Sequence, residues 1–397
     1  MNESKTRTVN RLPVKTWNHL KMNEAEVALT AGMAAGQLSV ECSGEVRHIA
    51  GSLENDARTD WAGIPTGMGE ELDTALEGGS GIDTFIAEPF DFPEHCSSGS
   101  EERKQGAGVQ ADGGLSEGGS SAGAGPASQA PSVRMKFCFG KNEEARNQVF
   151  LHAKENSTLT VVMDFCGGQD QTGTSSALIR TKILAERQSL VRLVQIHRAG
   201  NDRILLNDVG AVCREGARLE VIQVVLSGRK NYIGFGTELE GNGSSLSADV
   251  AYNVENDHSL DLLYRIDHLG RHTESSVNAL GVLRDEARKT FRGVIDFRKG
   301  CAGSVGNEKE DVLLIGEKAE NKTIPLILCA EEDVEGNHGA TIGGLDDAAR
   351  FYLESRGLSP DQVTELAASG RIASVIRRIP DDAVRHALLG EEFCGKL

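Results

Sequence analysis

From Met135 to about Ile342, apolar and polar positions alternate. Thr158, Thr160 and Val162 are interleaved with Leu159, Val161 and Met163, and Arg218, Glu220 and Ile222 with Leu219 and Val221. A period of two predicts strands, because successive side chains of an extended chain point to opposite faces. These strands share their punctuation. A polar turn, a small residue and an alternating apolar run recur as NSTLTV, RQSLVR, GARLEV, GSSLSA and DHSLDL, with the shared leucine at Leu159, Leu190, Leu219, Leu246 and Leu260. The spacings of 31, 29, 27 and 14 residues are close to multiples of a single interval of about 14, two of which make one coil. A sandwich gives evenly spaced strands but has no reason to repeat its turn chemistry in register. The pattern therefore predicts a mainly β protein with a right-handed parallel β-helix core over 132–344, its interior filled by stacked Val, Ile and Leu.

The flanks follow other rules. Over 1–96, Trp17, Leu20, Val27 and Leu29 approximate one helical face, which predicts a mostly helical N-terminal region. Residues 97–131 hold 9 Gly and 7 Ser among 35 residues with no aromatic, so they read as a disordered insertion unable to offset its ordering entropy. Past Gly344 the period changes to that of helices. LDDAARFYLESRG has an acidic first turn, a stripe of Ala348, Phe351, Tyr352 and Ser355, and a stop at Gly357. SPDQVTELAASG follows with Ser359 as N-cap and Pro360 at the first helical position, and two more short helices are expected between Arg371 and Leu389. This small helical domain, 345–397, is in part expected to cap the open end of the β-helix.

Composition narrows the partners. With 42 Lys+Arg against 59 Asp+Glu, the net charge of −17 disfavours nucleic acid and anionic membrane. The 46 glycines and 5% aromatic content suit a body rich in turns. The charged first thirty residues lack the apolar run of roughly 7–15 that a signal peptide needs, and no stretch nears the ~18–20 needed to span a bilayer. A cytoplasmic protein is expected, with its eight cysteines reduced, since no C-x-x-C occurs.

Two familiar catalytic signatures are missing: there is no G-x-x-x-x-G-K-[ST] and no H-E-x-x-H. His268 and His272 have a helical ligand spacing but lie in a strand and turn, so a solvated or capping role is expected. His338 sits in AEEDVEGNHGATIGG, where the alternation breaks, and a neutral imidazole there could ligate iron or move a proton. Glu331, Glu332, Asp333 and Glu335 surround it, with Glu308, Glu310 and Asp311 one coil earlier; such acids are ordinarily solvated, and an iron site is their functional alternative. Cys138–Cys166 and Cys301–Cys329 are each 28 residues apart, one coil of the repeat, so each pair is expected to stack on adjacent rungs. Free cysteine favours the interior; an outward pair would instead offer two thiolates to sulfur or iron.

The stretches LGRHTESSVNALGVLRDEARKTFRGVIDFRKG and SVGNEKEDVLLIGEKAENKTIPLILCAEEDVEGNHGATIGGLDDAARFYLESRGLS, with FGKNEEARNQVFLHAKENSTLTV and TWNHLKMNE upstream, resemble the SufB/SufD family of iron–sulfur cluster assembly scaffolds. The resemblance implies a non-catalytic scaffold with a β-helix core that pairs with a SufB-like subunit or a second copy of itself. It further implies a C-terminal domain docking the SufC ABC-type ATPase, here through Phe351, Tyr352, Ser355, Arg356 and Gly357. Sulfur would come from a cysteine desulfurase, and a transient iron–sulfur cluster would form at the subunit interface, bound tightly by no isolated chain. His338 matches the histidine of the family's HGAT segment, which contributes to the nascent cluster in SufD-type subunits. Counting back from Gly316, Glu310 stands where SufB-type chains carry the cluster cysteine, and Gly336 where many SufD-type chains have the cysteine of KCSHG. The resemblance thus implies a SufD-like member in which His338 and Glu310 form half of a shared site; Cys301 and Cys329 are further metal-ligand candidates by their spacing. A β-helix enzyme acting on polysaccharide is the rival from another class, but Trp17 and Trp61 fall outside the β-body and few aromatic sugar platforms remain.

Overall fold

The computed structural model describes residues 4–16, 21–30, 34–44, 46–51, 60–76, 81–89, 132–140, 144–167 and 175–394. Consecutive strands from Ser132–Phe139 to Val334–Gly343 alternate between two parallel sheets, making a β-solenoid of about seven turns. Each strand pairs with the one a full coil away: Leu190 lies opposite Thr158 and Arg218, and Lys230 opposite Ile204 and Ser259. The repeat's turns account for this closure. At NST, RQS, GAR and GSS the chain turns through residues of positive φ such as Asn156, Gln188, Gly216 and Gly243, and hands each rung to the opposite sheet.

Between the sheets lies one continuous apolar core, with Leu159, Val191, Leu219 and Leu246 stacked rung on rung. Leu190 is one residue out of that column; Val191 occupies the inward place. Leu260 is half a coil from Leu246 and lies on the opposite sheet, as the 14-residue interval requires. Midway along, the core turns polar. Gln195, Asn207, Gln223 and Tyr264 hydrogen-bond to one another across both sheets, and Gln223 and Asn207 reach His197. Burial holds that histidine down near pKa 3, so it stays neutral.

The N-terminal region is not helical in the way its sequence suggested. Ser4–Val9 and Ala25–Thr30 form an antiparallel hairpin, with Val27 and Leu29 on the same buried face because they are two apart. That face and α1 (Asp73–Leu76) pack on Leu178 and Leu206, outside the ten-stranded sheet. Further strands, Gln37–Ser43 and Val46–Ala50, join the first coils antiparallel and close the solenoid's N-terminal end. Trp17, Leu20 and the 97–131 insertion lie outside the described residues.

Three helices end the described chain: α2 (Asp347–Ser355), α3 (Pro360–Ile376) and α4 (Asp382–Cys394). Helix α2 stops as expected, with Gly357 at φ +97° and Gly357 N–H and Leu358 N–H donating to the carbonyls of Glu354 and Leu353. Helix α3 opens on a capping box between Ser359 and Gln362. It does not end at Gly370, because Ala368, Ile372, Val375 and Ile376 bury a continuous stripe that outweighs the ~1 kcal/mol cost of one helical glycine. Among the described residues the helices do not cap the solenoid's end as expected. Ala368, Ile372, Val375, Ile379 and Leu388 instead cover Val194, Val224, Ala251 and Val282 on the outer face of the nine-stranded sheet. Among the described residues no helix is long and apolar enough to cross a membrane.

Candidate functional site

With the helices on its flank, the last coil is left bare. Strand Glu320–Cys329 pairs only with Arg288–Phe297, and strand Val334–Gly343 only with Ser304–Leu314, so among the described residues each sheet ends in a ten-residue unpaired edge. The register of Ile342 against the core residue Val312, and of Ile327 against Ile295, turns their side chains to the solenoid interior. Among the described residues no further rung covers that interior. Ile342 is accordingly 44% exposed.

His338 stands on this rim. It is exposed, in register with Glu308, and both border an open groove of about 680 Å³ that runs on to Asn278, Asp249 and Arg378. Immediately beneath lies a charged cluster inside the solenoid. Along GNEKED the alternation turns Glu308 and Glu310 inward and leaves Asn307 and Lys309 exposed. The Glu310 carboxylate is fully buried, pairs with the Lys289 ammonium from the opposite sheet, and accepts hydrogen bonds from Tyr252 Oη (2.8 Å) and Thr323 Oγ1 (2.6 Å). Two glycines make room. Tyr252 reaches Glu310 over Gly281, where an added Cβ would collide with the tyrosine ring, and the Glu308 carboxylate lies where a Cβ on Gly293 would sit.

The charges of the cluster do not cancel. Glu310 and Lys289 compensate each other; burial still pulls Lys289 down to about 8, against the attraction of Glu310. Glu308 is left over, and burial followed by the Glu310 charge pushes its pKa up to about 8. Glu308 is therefore mostly protonated at neutral pH. In the unfolded chain it ionises near 4.5, so the folded state is favoured fully below that value and loses this advantage as pH rises towards 8. Glu308→Gln is expected to flatten that slope and to stabilise the protein by ~2–4 kcal/mol above pH 8 while changing little at pH 4. Denaturant titrations at the two pH values check this; equal slopes for the two proteins would refute it.

The other sequence candidates are scattered. Glu310 is closed off beneath the rim, its oxygens already engaged, and it is Glu308 that lies beside His338. Cys301 and Cys329 are not stacked: Cys329 is in register with Phe297, while Cys301 is buried in the following turn against Ile295 and Phe297. Cys329 is exposed, and its thiol donates to the Glu331 carbonyl at 3.0 Å. Cys138 and Cys166 do stack in register, with sulfurs 4.0 Å apart, but outside the core, because Phe137 and Phe165 take the inward positions. His268 is buried, with both ring nitrogens bonded to Thr273 and Ser275, and His272 lies in a turn at φ +53°, so the two share no ligand site. Glu331 accepts the backbone N–H groups of Gly300 and Glu332, which holds its pKa below the ordinary range. Among the described residues no group of three or more His, Cys, Asp and Glu could hold a metal ion.

The aromatic docking candidates are on the surface. Helix α2 buries no residue, Phe351 is 75% and Tyr352 56% exposed, and the Arg356 guanidinium stacks 5.1 Å from the Tyr352 ring centre. Ser355 Oγ donates to the Tyr352 carbonyl at 2.7 Å.

A solenoid with this bare final coil has known relatives. The profile of the SufBD core domain of SUF system FeS cluster assembly matches residues 137–371, more than half of the chain. The chain belongs to the SufBD family. It is 22% identical over 243 residues to the iron–sulfur cluster assembly protein SufD of Bacillus subtilis, covering 61% of this chain and 56% of that one. Against SufD of Escherichia coli the identity is 26% over 194 residues (49% and 44% of the two chains), and against SufB of B. subtilis 24% over 200 residues (50% and 43%). The matched region thus spans about half the length of these SufBD relatives, and SufD and SufB resemble the chain to similar degrees. Members of the SufBD family are assembly scaffold proteins.

Proposed function

We propose that the protein is a SufD-type scaffold subunit of a cytoplasmic iron–sulfur cluster assembly complex, non-catalytic by itself. Its bare final coil pairs with the corresponding coil of a SufB-type subunit, continuing both sheets across the junction. The observation that carries this reading is the unpaired end with His338 on its rim. Long, uncharged strand edges are hazards that soluble proteins blunt or cover, yet from Gly336 to Gly343 the edge holds no charge apart from what His338 can carry. A nascent cluster, the cargo of the complex, requires more ligands than this rim offers. His338 supplies a neutral imidazole nitrogen, Glu308 stands beside it as a carboxyl group able to take or give a proton, and the partner supplies the thiolates. Sulfur reaches the partner from a cysteine desulfurase.

Helices α2–α4 carry the second contact. Exposed aromatics on a helix that buries nothing suit docking against another protein, and the partner proposed is the SufC-type ATPase, whose hydrolysis cycle shifts the two solenoids relative to each other. Co-expression with SufB-type and SufC-type partners tests the assignment. The pair Phe351→Ser and Tyr352→Ser is expected to lose the ATPase from the purified complex, by tenfold or more in affinity, while keeping the SufB-type subunit. Undiminished recovery of the ATPase would overturn the docking assignment.

A further inference from the structure

The outward-facing thiols Cys138 and Cys166 have no part in the site above. In-register residues on neighbouring strands have Cα atoms about 4.8 Å apart, inside the roughly 4.4–6.8 Å range across which disulfides close. Their sulfurs already approach to 4.0 Å. Both side chains are half-buried on the outer face of the nine-stranded sheet. Two residues back along each strand, Lys136 and Asp164 line a cavity of about 210 Å³ between the sheet and α4, which brings a small solute to within one side chain of the pair. Among the described cysteines no other two are in register: Cys213 is sealed in the core, Cys301 is buried, and Cys42 and Cys329 lie apart.

We propose that Cys138 and Cys166 form a reversible dithiol–disulfide site, oxidised by a hydroperoxide, whose closure ties the first coil of the solenoid to the second. The Cys138 thiol gives up its proton as its sulfur attacks the terminal peroxide oxygen; the O–O bond breaks, that proton goes to the departing oxygen, and the products are a Cys138 sulfenic acid and the corresponding alcohol or, from hydrogen peroxide, water. The Cys166 thiol then attacks the Cys138 sulfur. The S–S bond forms as the S–OH bond breaks, and the thiol proton leaves with the hydroxide as a second water. Two thiols lose two electrons and the peroxide gains them. The order of events follows from surroundings: burial, and then Asp164, push the Cys166 thiol up to about 12, so it is protonated at neutral pH and serves as the second sulfur. A thiol reductant reverses the bond by exchange.

Peptide mapping of the full-length chain tests this. The reduced protein is treated with a few equivalents of hydrogen peroxide, alkylated and digested. The expected product is one peptide pair joined through Cys138 and Cys166, about 2 Da lighter than the two free peptides together and released by dithiothreitol. With Cys166→Ser, Cys138 should instead be trapped as a sulfenic acid by dimedone. Recovery of both cysteines as free alkylated thiols, or as separate sulfinic or sulfonic acids with no linked peptide, would overturn the proposal. The wild-type map decides the matter alone should the variant not fold.

Discussion

Lys289→Met is expected to lower folding stability by about 3–5 kcal/mol, the largest effect of any single substitution considered. Both partners of the Lys289–Glu310 pair have fully buried side chains, so the mutation leaves a carboxylate in the core with only the Tyr252 and Thr323 hydroxyls to solvate it. Glu308, its pKa raised already by burial and then by the Glu310 charge, would face that charge with no ammonium nearby. The double variant Lys289→Met with Glu310→Gln removes both charges and should recover most of the loss, since the amide oxygen can still accept from Tyr252 while the amide NH2 donates to Thr323 Oγ1. Urea titrations of the two variants measure the difference directly. A Lys289→Met protein as stable as the wild type would mean that the cluster is not held together as an ion pair.

Ile342→Lys, made together with Ala340→Lys, is expected to abolish pairing with a SufB-type subunit while leaving the isolated chain's melting temperature within a degree or two of wild type. Both positions are exposed, so the free chain tolerates an ammonium there. Both also share the inward column of the bare coil, being in register with Val312 and Glu310. A second solenoid docking end to end must bury them, and desolvating two unpaired ammonium groups should weaken association by at least a hundredfold, or ~3 kcal/mol. Size-exclusion chromatography of the co-expressed chains reads this out. Undisturbed pairing would move the interface off the solenoid's end.

How much of this could be read from the sequence depended on whether the signal was local. The recurring turn-plus-leucine units gave the coil length and placed Leu246 and Leu260 on opposite sheets, because turn chemistry repeats where backbone conformation repeats. The N-terminal hairpin was misread because Val27 and Leu29 are compatible with either period in so short a segment. For the thiols, the 28-residue spacing correctly stacked Cys138 on Cys166, but their orientation was set by the competition with Phe137 and Phe165 for the core. The same spacing failed for Cys301, which lies in a turn rather than on a rung. At the rim, counting back from Gly316 reached Glu310, which is fully buried, whereas Glu308 on the same strand borders the groove with His338. The signal that would have found the cluster was the alternation itself: in KTFRGVIDF, Lys289 occupies the inward phase with Phe291, Ile295 and Phe297, and a lysine among core residues calls for a buried carboxylate opposite. The bare end of the solenoid had no sequence signal, since it depends on where the helices pack.

In the proposed complex a nascent cluster forms between two solenoid ends with His338 contributing to it. Anaerobic iron and acid-labile sulfide analysis, with visible absorbance, of the complex co-expressed with SufB-type and SufC-type partners tests it most directly, comparing wild type with His338→Ala. Iron, sulfide and colour are expected in the wild-type complex, and their loss from the His338→Ala complex with the subunits still associated. A His338→Ala complex that keeps its full complement of iron and sulfide would contradict it.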